Sequence, residues 1–356
     1  MNPPERILIR LPGSKLGDFM MTTPMLVGLR RALPDAHITL QLWPNAVTSW
    51  LPPPGELRLY DDLLWDDSAG AYSGAGGYLA WVRELKSRRF DAAVSLHGGK
   101  RTAWSWWMAK IPVRIGNVPR ELGPLFTRND RQNRGRPDRH EVEYNFDMVR
   151  PLGLTGSPGP MVWQISEQDR LEANQLLDSL GRIKGRPLAV VNPTHGGSSR
   201  LWQADRFAAV AAKLASGSGV QIALIGSKEN SATSAKLLPT IANDALDLTG
   251  ATSLPVLAAI LEKAALHLSI DTGTMHLAAA VGTPCVTVMP LASFWDSRIR
   301  WQPWATEHRL IGPSERCTDC IPGLCRRRQT VCIDSISVDQ VTNAARQIVE
   351  LTSAPS

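Results

Sequence analysis

Apolar residues concentrate in short segments: Ile7-Leu-Ile-Arg-Leu11, Ile38–Leu42, Phe90–Leu96 and Val113–Ile115, then Leu188–Asn192, Val220–Ile225, Leu266–Ile270 and Cys285–Val288. Segments this short and this rich in apolar residues are what strands of a parallel sheet look like. Between them, apolar residues recur at helical spacing. The predicted helices cover Asp18–Leu33, the tryptophan-rich stretch after His97-Gly-Gly99, Ser166–Leu180, Gln203–Ala215, Leu254–Lys263, Met275–Val281 and Ser337–Glu350. Strands alternating with helices predict parallel sheets covered by helices.

The rhythm pauses at Leu154–Pro160, where Gly156, Pro158, Gly159 and Pro160 read as a linker, and it resumes after Gly185-Arg-Pro187. A chain of 356 residues is long enough for two domains. We therefore expect a first α/β domain over residues 1–160, a second over 161–335, and a closing helical segment over 336–356 that packs back on the first. Two such domains facing across a cleft would bring together the loops beyond their strands' carboxyl ends, where open parallel sheets bind ligands.

Composition adds little to this picture. Hydrophobic residues make up 43% and charged residues 20%, as in ordinary globular chains. The formal charge of +6 suits an anionic partner without choosing one. A basic loop is expected over Gly116–Arg139, with Arg120, Arg128, Arg131, Arg134, Arg136 and Arg139; it is either a solvated surface or an anion-receiving rim. Twelve tryptophans against six phenylalanines is unusual. Those in Trp104-Ser-Trp-Trp107 and Trp295–Trp304 read either as packing or as sugar or lipid contacts. No secretory signal or long apolar window is visible, so the expectation is a cytoplasmic protein without a transmembrane segment.

Five segments carry candidate chemistry. Leu16-Gly-Asp-Phe-Met-Met-Thr-Thr-Pro24 places Asp18 at a strand-to-helix turn, as an N-cap carboxylate or as a base for a sugar hydroxyl. Asn192-Pro-Thr-His-Gly-Gly-Ser-Ser-Arg-Leu-Trp202 offers Thr194, Ser198 and Ser199 in a turn, with Arg200 as a cationic fork for phosphoryl oxygens. Ile225-Gly-Ser-Lys-Glu229 pairs a close-approach Gly226 with Glu229, an acceptor for ribose hydroxyls. Ser269-Ile-Asp-Thr-Gly-Thr-Met-His276 ends a buried strand at Asp271 and opens a helix whose first turn, Thr272 to Thr274, can donate to phosphate. His276 reads either as a phosphate contact or as a core histidine. Last, Cys317, Cys320, Cys325 and Cys332 form C-x2-C-x4-C-x6-C. That spacing admits a tetrahedral zinc or iron site, a packed cysteine-rich loop or labile disulfides.

Together these segments resemble the ADP-heptose:lipopolysaccharide heptosyltransferases of glycosyltransferase family 9, over nearly the whole chain from Ile7 to Val341. The resemblance implies a GT-B fold, in which two Rossmann-like domains face one another, and an inverting transferase that needs no divalent metal for its chemistry. It implies Asp18 as the catalytic base, with Gly17, Thr22, Thr23 and Arg120 on the acceptor. The donor falls to Thr194, Ser198, Ser199, Arg200, Gly226, Glu229, Asp271, Thr272, Gly273 and His276. The implied partners are an ADP-sugar donor and an anionic glycolipid acceptor at the inner membrane surface, with no nucleic acid, and the implied location is cytoplasmic and peripheral. Two departures stand out. Pro12-Gly-Ser-Lys15 looks inserted, and Arg200-Leu-Trp-Gln203 replaces the family's Lys-x-Trp-Pro. The rival readings are another nucleotide sugar or a protein acceptor on the same fold, and a nucleotide-binding protein without catalysis.

Overall fold

A computed structural model describes residues 3–11, 15–44, 51, 57–130, 132, 139–194, 202–289, 298–313, 320–321, 324–325 and 331–353. Contacts divide the chain into two units: Met1–Arg134 with Glu141–Met161, and Gly135–His140 with Val162–Ser356.

The first unit is built on β1 (Arg6–Arg10), whose Ile7, Leu8 and Ile9 have no exposed surface. Around it stand β2 (His37–Leu42), β3 (Asp62–Trp65), β4 (Ala92–Ser95), β5 (Val113–Gly116) and β6 (Arg128–Asn129). All described pairings are parallel, in the order β3-β2-β1-β4-β5-β6. This is the doubly wound order of dinucleotide-binding sheets, with its reversal between β1 and β4. The connecting helices are α1 (Leu16–Met20), α2 (Thr23–Ala32), α3 (Gly74–Ser87), α4 (Lys100–Met108) and α5 (Glu141–Asp147). Trp81 of α3 and Trp106 of α4 pack on Leu8 and Ala93 to form one side of the core.

The second unit repeats the design. Its strands are β7 (Leu188–Val191), β8 (Gln221–Leu224), β9 (Leu246–Asp247), β10 (Leu266–Ile270), β11 (Cys285–Val288) and β12 (His308–Ile311). Their order is β12-β11-β10-β7-β8-β9, again parallel, with the reversal between β7 and β10. Its helices are α6 (Glu167–Ser179), α7 (Ala204–Ser218), α8 (Ser231–Leu237), α9 (Leu254–Glu262), α10 (Gly273–Ala280), α11 (Arg298–Trp301), α12 (Val331–Asp334) and α13 (Val338–Ser353).

Several expectations change in detail. The helix expected over Asp18–Leu33 is two helices. Pro24 has no amide to continue the first and suits the opening turn of the second. The hydroxyls of Thr22 and Thr23 donate to the carbonyls of Phe19 (2.6 Å) and Met20 (2.9 Å), satisfying the broken end. The basic loop expected over Gly116–Arg139 holds a 3-10 turn, Arg120–Leu125, and the edge strand β6. The closing helix, expected over the first domain, buries its apolar stripe on the second unit. Val341, Ala345 and Ile348 share a core with Phe207, Leu214 and Val286. Ser337 and Gln340 cap it reciprocally, as Ser337-Val-Asp-Gln340 suggests. Trp202 Nε1 donates to the Ile336 carbonyl at 3.0 Å and ties the segment before it to the sheet.

Candidate functional site

In each sheet the loops leaving the two strands at the reversal diverge, and a crevice opens at their carboxyl ends. In the second unit these strands are β7 and β10. The residues that follow them are Asn192 and Asp271-Thr-Gly-Thr274, and a chain of hydrogen bonds joins the two loops. Asn192 Nδ2 donates to Thr274 Oγ1 at 3.0 Å. The amide of Thr194 donates to Asn192 Oδ1 at 3.1 Å, which fixes the orientation of the Asn192 carboxamide.

The proton positions along this chain follow from its far end. His267, fully buried in β10, has Nδ1 3.0 Å from the Val190 carbonyl oxygen. A carbonyl only accepts, so Nδ1 carries the proton. Burial, opposed in part by that hydrogen bond, lowers the His267 pKa to about 4, so the ring is neutral and Nε2 accepts. Thr274 Oγ1, 3.3 Å away, spends its single proton on Nε2. The 2.9 Å contact between Thr272 and Thr274 must then run from the Thr272 hydroxyl to the Thr274 oxygen. Thr272 Oγ1 is left with lone pairs only and accepts from whatever approaches it.

Thr272 is the N-cap of α10, but its side chain does not cap the helix. The amides of Gly273 and Thr274 have no acceptor among the described residues. Free amides at a helix start favour an anion. The turn therefore offers two adjacent chemistries, amides for a phosphate and a hydroxyl oxygen for a donor group.

His276 lies one turn into α10, 2% exposed, with Nε2 3.9 Å from Asp271 Oδ1. Burial, reinforced by nearby His140, lowers its pKa to about 3, so this approach is not an ion pair. Its Nδ1 has no partner among the described residues. Asp271 is partly exposed at the turn. Gly226 follows β8 where a Cβ would lie 3.1 Å from Thr194 Oγ1 and 3.3 Å from Asn230 Cβ, so glycine permits the close approach. Glu229 stands exposed beyond it, and the Ser227 hydroxyl and its own amide hold its carboxyl below the usual range. Ser198, Ser199 and Arg200 lie outside the described residues.

In the first unit, Gly17 and Asp18 sit in α1 directly after β1, both partly buried. Thr22 and Thr23 are fully buried and bond to backbone carbonyls, so their hydroxyls serve the α1–α2 joint. Arg120 is exposed at the 3-10 turn after β5. At the same sheet edge Arg10 is 1% exposed, its guanidinium 3.7 Å from the ring of Trp43. Burial lowers its pKa to about 10, against the pull of Asp66.

Of the cysteines, Cys317 lies outside the described residues. The backbones of Cys320 and Cys325 are register partners in a short antiparallel ladder of β13 (Cys320–Ile321) and β14 (Leu324–Cys325), and Cys332 falls in α12. Cys285 is a buried free thiol whose pKa burial raises.

Residues 78–330 match the model of glycosyltransferase family 9 (heptosyltransferase). The chain belongs to glycosyltransferase family 9. It is 24% identical to lipopolysaccharide heptosyltransferase 3 of Escherichia coli strain K12 over 301 residues, 81% of this chain and 82% of that protein. Among solved structures it resembles a family 9 glycosyl transferase from Veillonella parvula, with TM-score 0.83, 23% identity and 98% of each chain covered. It also resembles E. coli ADP-heptose LPS heptosyltransferase II, with TM-score 0.73, 20% identity, 98% of this chain and 100% of that one. The protein is thus a glycosyltransferase, and its two Rossmann-like sheets are those of the GT-B class.

For a family 9 enzyme, the residues that sequence reading passed over are Asn192 and His267, while Thr274, expected to donate to phosphate, instead receives the Asn192 carboxamide and gives its hydroxyl proton to His267. His267 sits inside an apolar run and reads there only as an interruption. The available clue was chemical: a histidine in a strand buried on both faces must find partners, and the nearest in sequence is the threonine-rich turn that follows.

Proposed function

We propose that this glycosyltransferase moves heptose from ADP-heptose to the core of a lipopolysaccharide, or a related anionic glycolipid, by single displacement with inversion. The first unit is the acceptor domain and the second binds the nucleotide sugar. The observation that carries this reading is the turn Asp271–Thr274. Its two amides, without an acceptor among the described residues, suit the diphosphate, and Thr272 Oγ1, held as an acceptor, suits a sugar hydroxyl.

Asp18 takes the proton of the acceptor hydroxyl as that oxygen attacks the anomeric carbon. The bond from that carbon to the diphosphate breaks, and ADP leaves with the electron pair. The amides of Gly273 and Thr274 and the guanidinium of Arg200 stabilise the charge that develops on it. Asp271 holds a sugar hydroxyl, Glu229 accepts from the ribose, and Arg120 meets an anionic group of the acceptor. The chemistry needs no divalent metal. Cys317, Cys320, Cys325 and Cys332 hold a structural zinc or iron ion, a reading supported by their spacing and by the pairing of Cys320 with Cys325. The enzyme works in the cytoplasm, peripheral to the inner membrane.

Mass spectrometry of reactions with a panel of nucleotide sugars and a lipopolysaccharide-core acceptor tests the reading. Heptose incorporation with release of ADP is expected. Turnover confined to a hexose or to a uridine nucleotide overturns the donor assignment.

A further inference from the structure

Helix α4 buries Thr102, Ala103, Ser105 and Trp106 against the first sheet. Its other face should then be polar. Instead it presents Trp104, Trp107 and Met108, which are 47%, 49% and 37% exposed. With exposed Lys100 they form a stripe at spacings of four, three and one residue, which is one face of the helix. The two indoles pack edge to face, with centroids 5.8 Å apart, so they hold each other outward.

The surface beside this stripe continues it. A groove of about 500 Å³ is lined by Trp107, Met108, Lys110, Ile111, Pro112 and Arg114, so an apolar floor lies beside two cations. Lys110 takes φ 60° where the helix ends, a position at which glycine is the usual residue. Lys110 is exposed there, two residues past Met108 of the Trp107–Met108 face. Lys100 and Lys110 make no ion pair among the described residues. From Ala92 to Arg120 the sequence holds five cations, Lys100, Arg101, Lys110, Arg114 and Arg120, and no aspartate or glutamate.

Exposed apolar surface on this scale marks a contact, and the charge beside it says with what. Tryptophan with flanking lysine is the residue pairing of a water–lipid boundary, where the indole lies at headgroup depth and the ammonium meets lipid phosphate. We infer that the outer face of α4, Trp104, Trp107 and Met108 with Lys100 and Lys110, docks the enzyme on an anionic lipid bilayer. This inference deepens the proposed function by naming the surface that brings the enzyme to a glycolipid acceptor, and it rests on that reading only for its purpose.

The test is co-sedimentation of the full chain with vesicles of equimolar phosphatidylcholine and phosphatidylglycerol, or of phosphatidylcholine alone, at low and physiological ionic strength. We expect binding to the anionic vesicles, weakened by salt, with a blue shift of tryptophan emission. Replacing Trp104 and Trp107 together by serine should reduce partitioning roughly tenfold or more. Lys100→Gln and Lys110→Gln should each reduce it about fivefold. Failure of the wild-type chain to bind, or equal binding by the double serine variant, overturns the inference. So does a sedimentation-velocity result in which the wild type is a dimer and the double serine variant a monomer, because the face is then covered by a second copy. Vesicle binding is read without turnover, so an enzyme that binds anionic vesicles yet fails the donor panel would lose the donor assignment and keep this docking face.

Discussion

Asn192 and Thr274 are 82 residues apart in sequence, yet the Asn192 carboxamide donates to the Thr274 hydroxyl at 3.0 Å. This bond crosses the reversal between β7 and β10 and links the loops that would hold a diphosphate. Behind it, His267 sets the direction of the Thr274 and Thr272 hydroxyl protons.

Thr272→Val removes the hydroxyl oxygen that the relay points outward. It should weaken binding of an ADP-sugar about tenfold, the worth of one hydrogen bond, while ADP itself binds within about twofold of wild type. Isothermal titration with the two ligands separates them. Equal loss for both would mean that Thr272 serves the diphosphate. Asn192→Ala, which unties the two loops, should weaken both ligands together.

Asp18→Asn keeps the size of the side chain and removes its basicity. Transfer should fall by roughly 100-fold or more, with ADP affinity unchanged because the proposed donor site is built from second-unit residues. Single-turnover kinetics alongside ADP titration read the two effects separately. Near-normal turnover would sink the base assignment.

The fold was legible where the chemistry of burial is uniform. Ile7–Ile9, Val190–Val191 and Leu266–Leu268 have no exposed surface, and such strands declare themselves as apolar runs. Edge strands did not. Asp62–Trp65 opens on an aspartate and His308–Ile311 is half-buried throughout, so neither shows the signal of a buried run. Gly74–Ser87 was hidden because its first turn holds three glycines, and only Trp81, Val82 and Leu85 anchor it. At the site, Asp271–Thr274 stood out because a glycine turn after a buried strand is visible in sequence. The bond from Asn192 to Thr274 was invisible because it depends on which strands are neighbours, and that is a property of the sheet order.

Stability should depend on pH through the buried histidines. His267 and His276 have folded pKa values lowered to about 4 and about 3, against 6.5 for an ordinary histidine. Between these values and 6.5 the unfolded chain binds protons that the folded chain does not, so stability rises with pH in that window. It is fully present above about pH 6.5, falls as the pH drops toward about 4, and levels off below the folded values. The loss by pH 4 should be on the order of 3 kcal/mol for each histidine. Urea unfolding across this range measures it, and His267→Leu should flatten part of the slope. A slope of the opposite sign would show that these histidines are charged in the fold.

The closing helix should be integral to the second unit. Trp202 is 1% exposed, meets Phe207 edge to face at 4.8 Å, and donates to the Ile336 carbonyl. Trp202→Ala should therefore cost about 3–5 kcal/mol, through the cavity it leaves and the carbonyl it strands. Ending the chain before Val338 should unfold the second unit, because it strips Val341, Ala345 and Ile348 from the core. Chemical denaturation followed by Trp fluorescence measures the first effect, and proteolysis of the shortened chain the second. A shortened chain that keeps ADP affinity and protease resistance would show α13 to be dispensable.

The cysteine segment makes a separate and quantitative claim. If Cys317, Cys320, Cys325 and Cys332 ligate one metal ion, protein purified without chelators should carry close to one zinc or iron per chain by elemental analysis. Replacing Cys320 or Cys325 by serine should release it, because a site closed by four thiolates keeps little affinity with three. Transfer by the metal-free protein should persist at first and then decay as the segment loosens, because the ion is structural and the reaction proposed here runs through Asp18 and the α10 turn. Immediate and complete loss of turnover on metal removal, with the fold intact by circular dichroism, would place the ion in the chemistry instead.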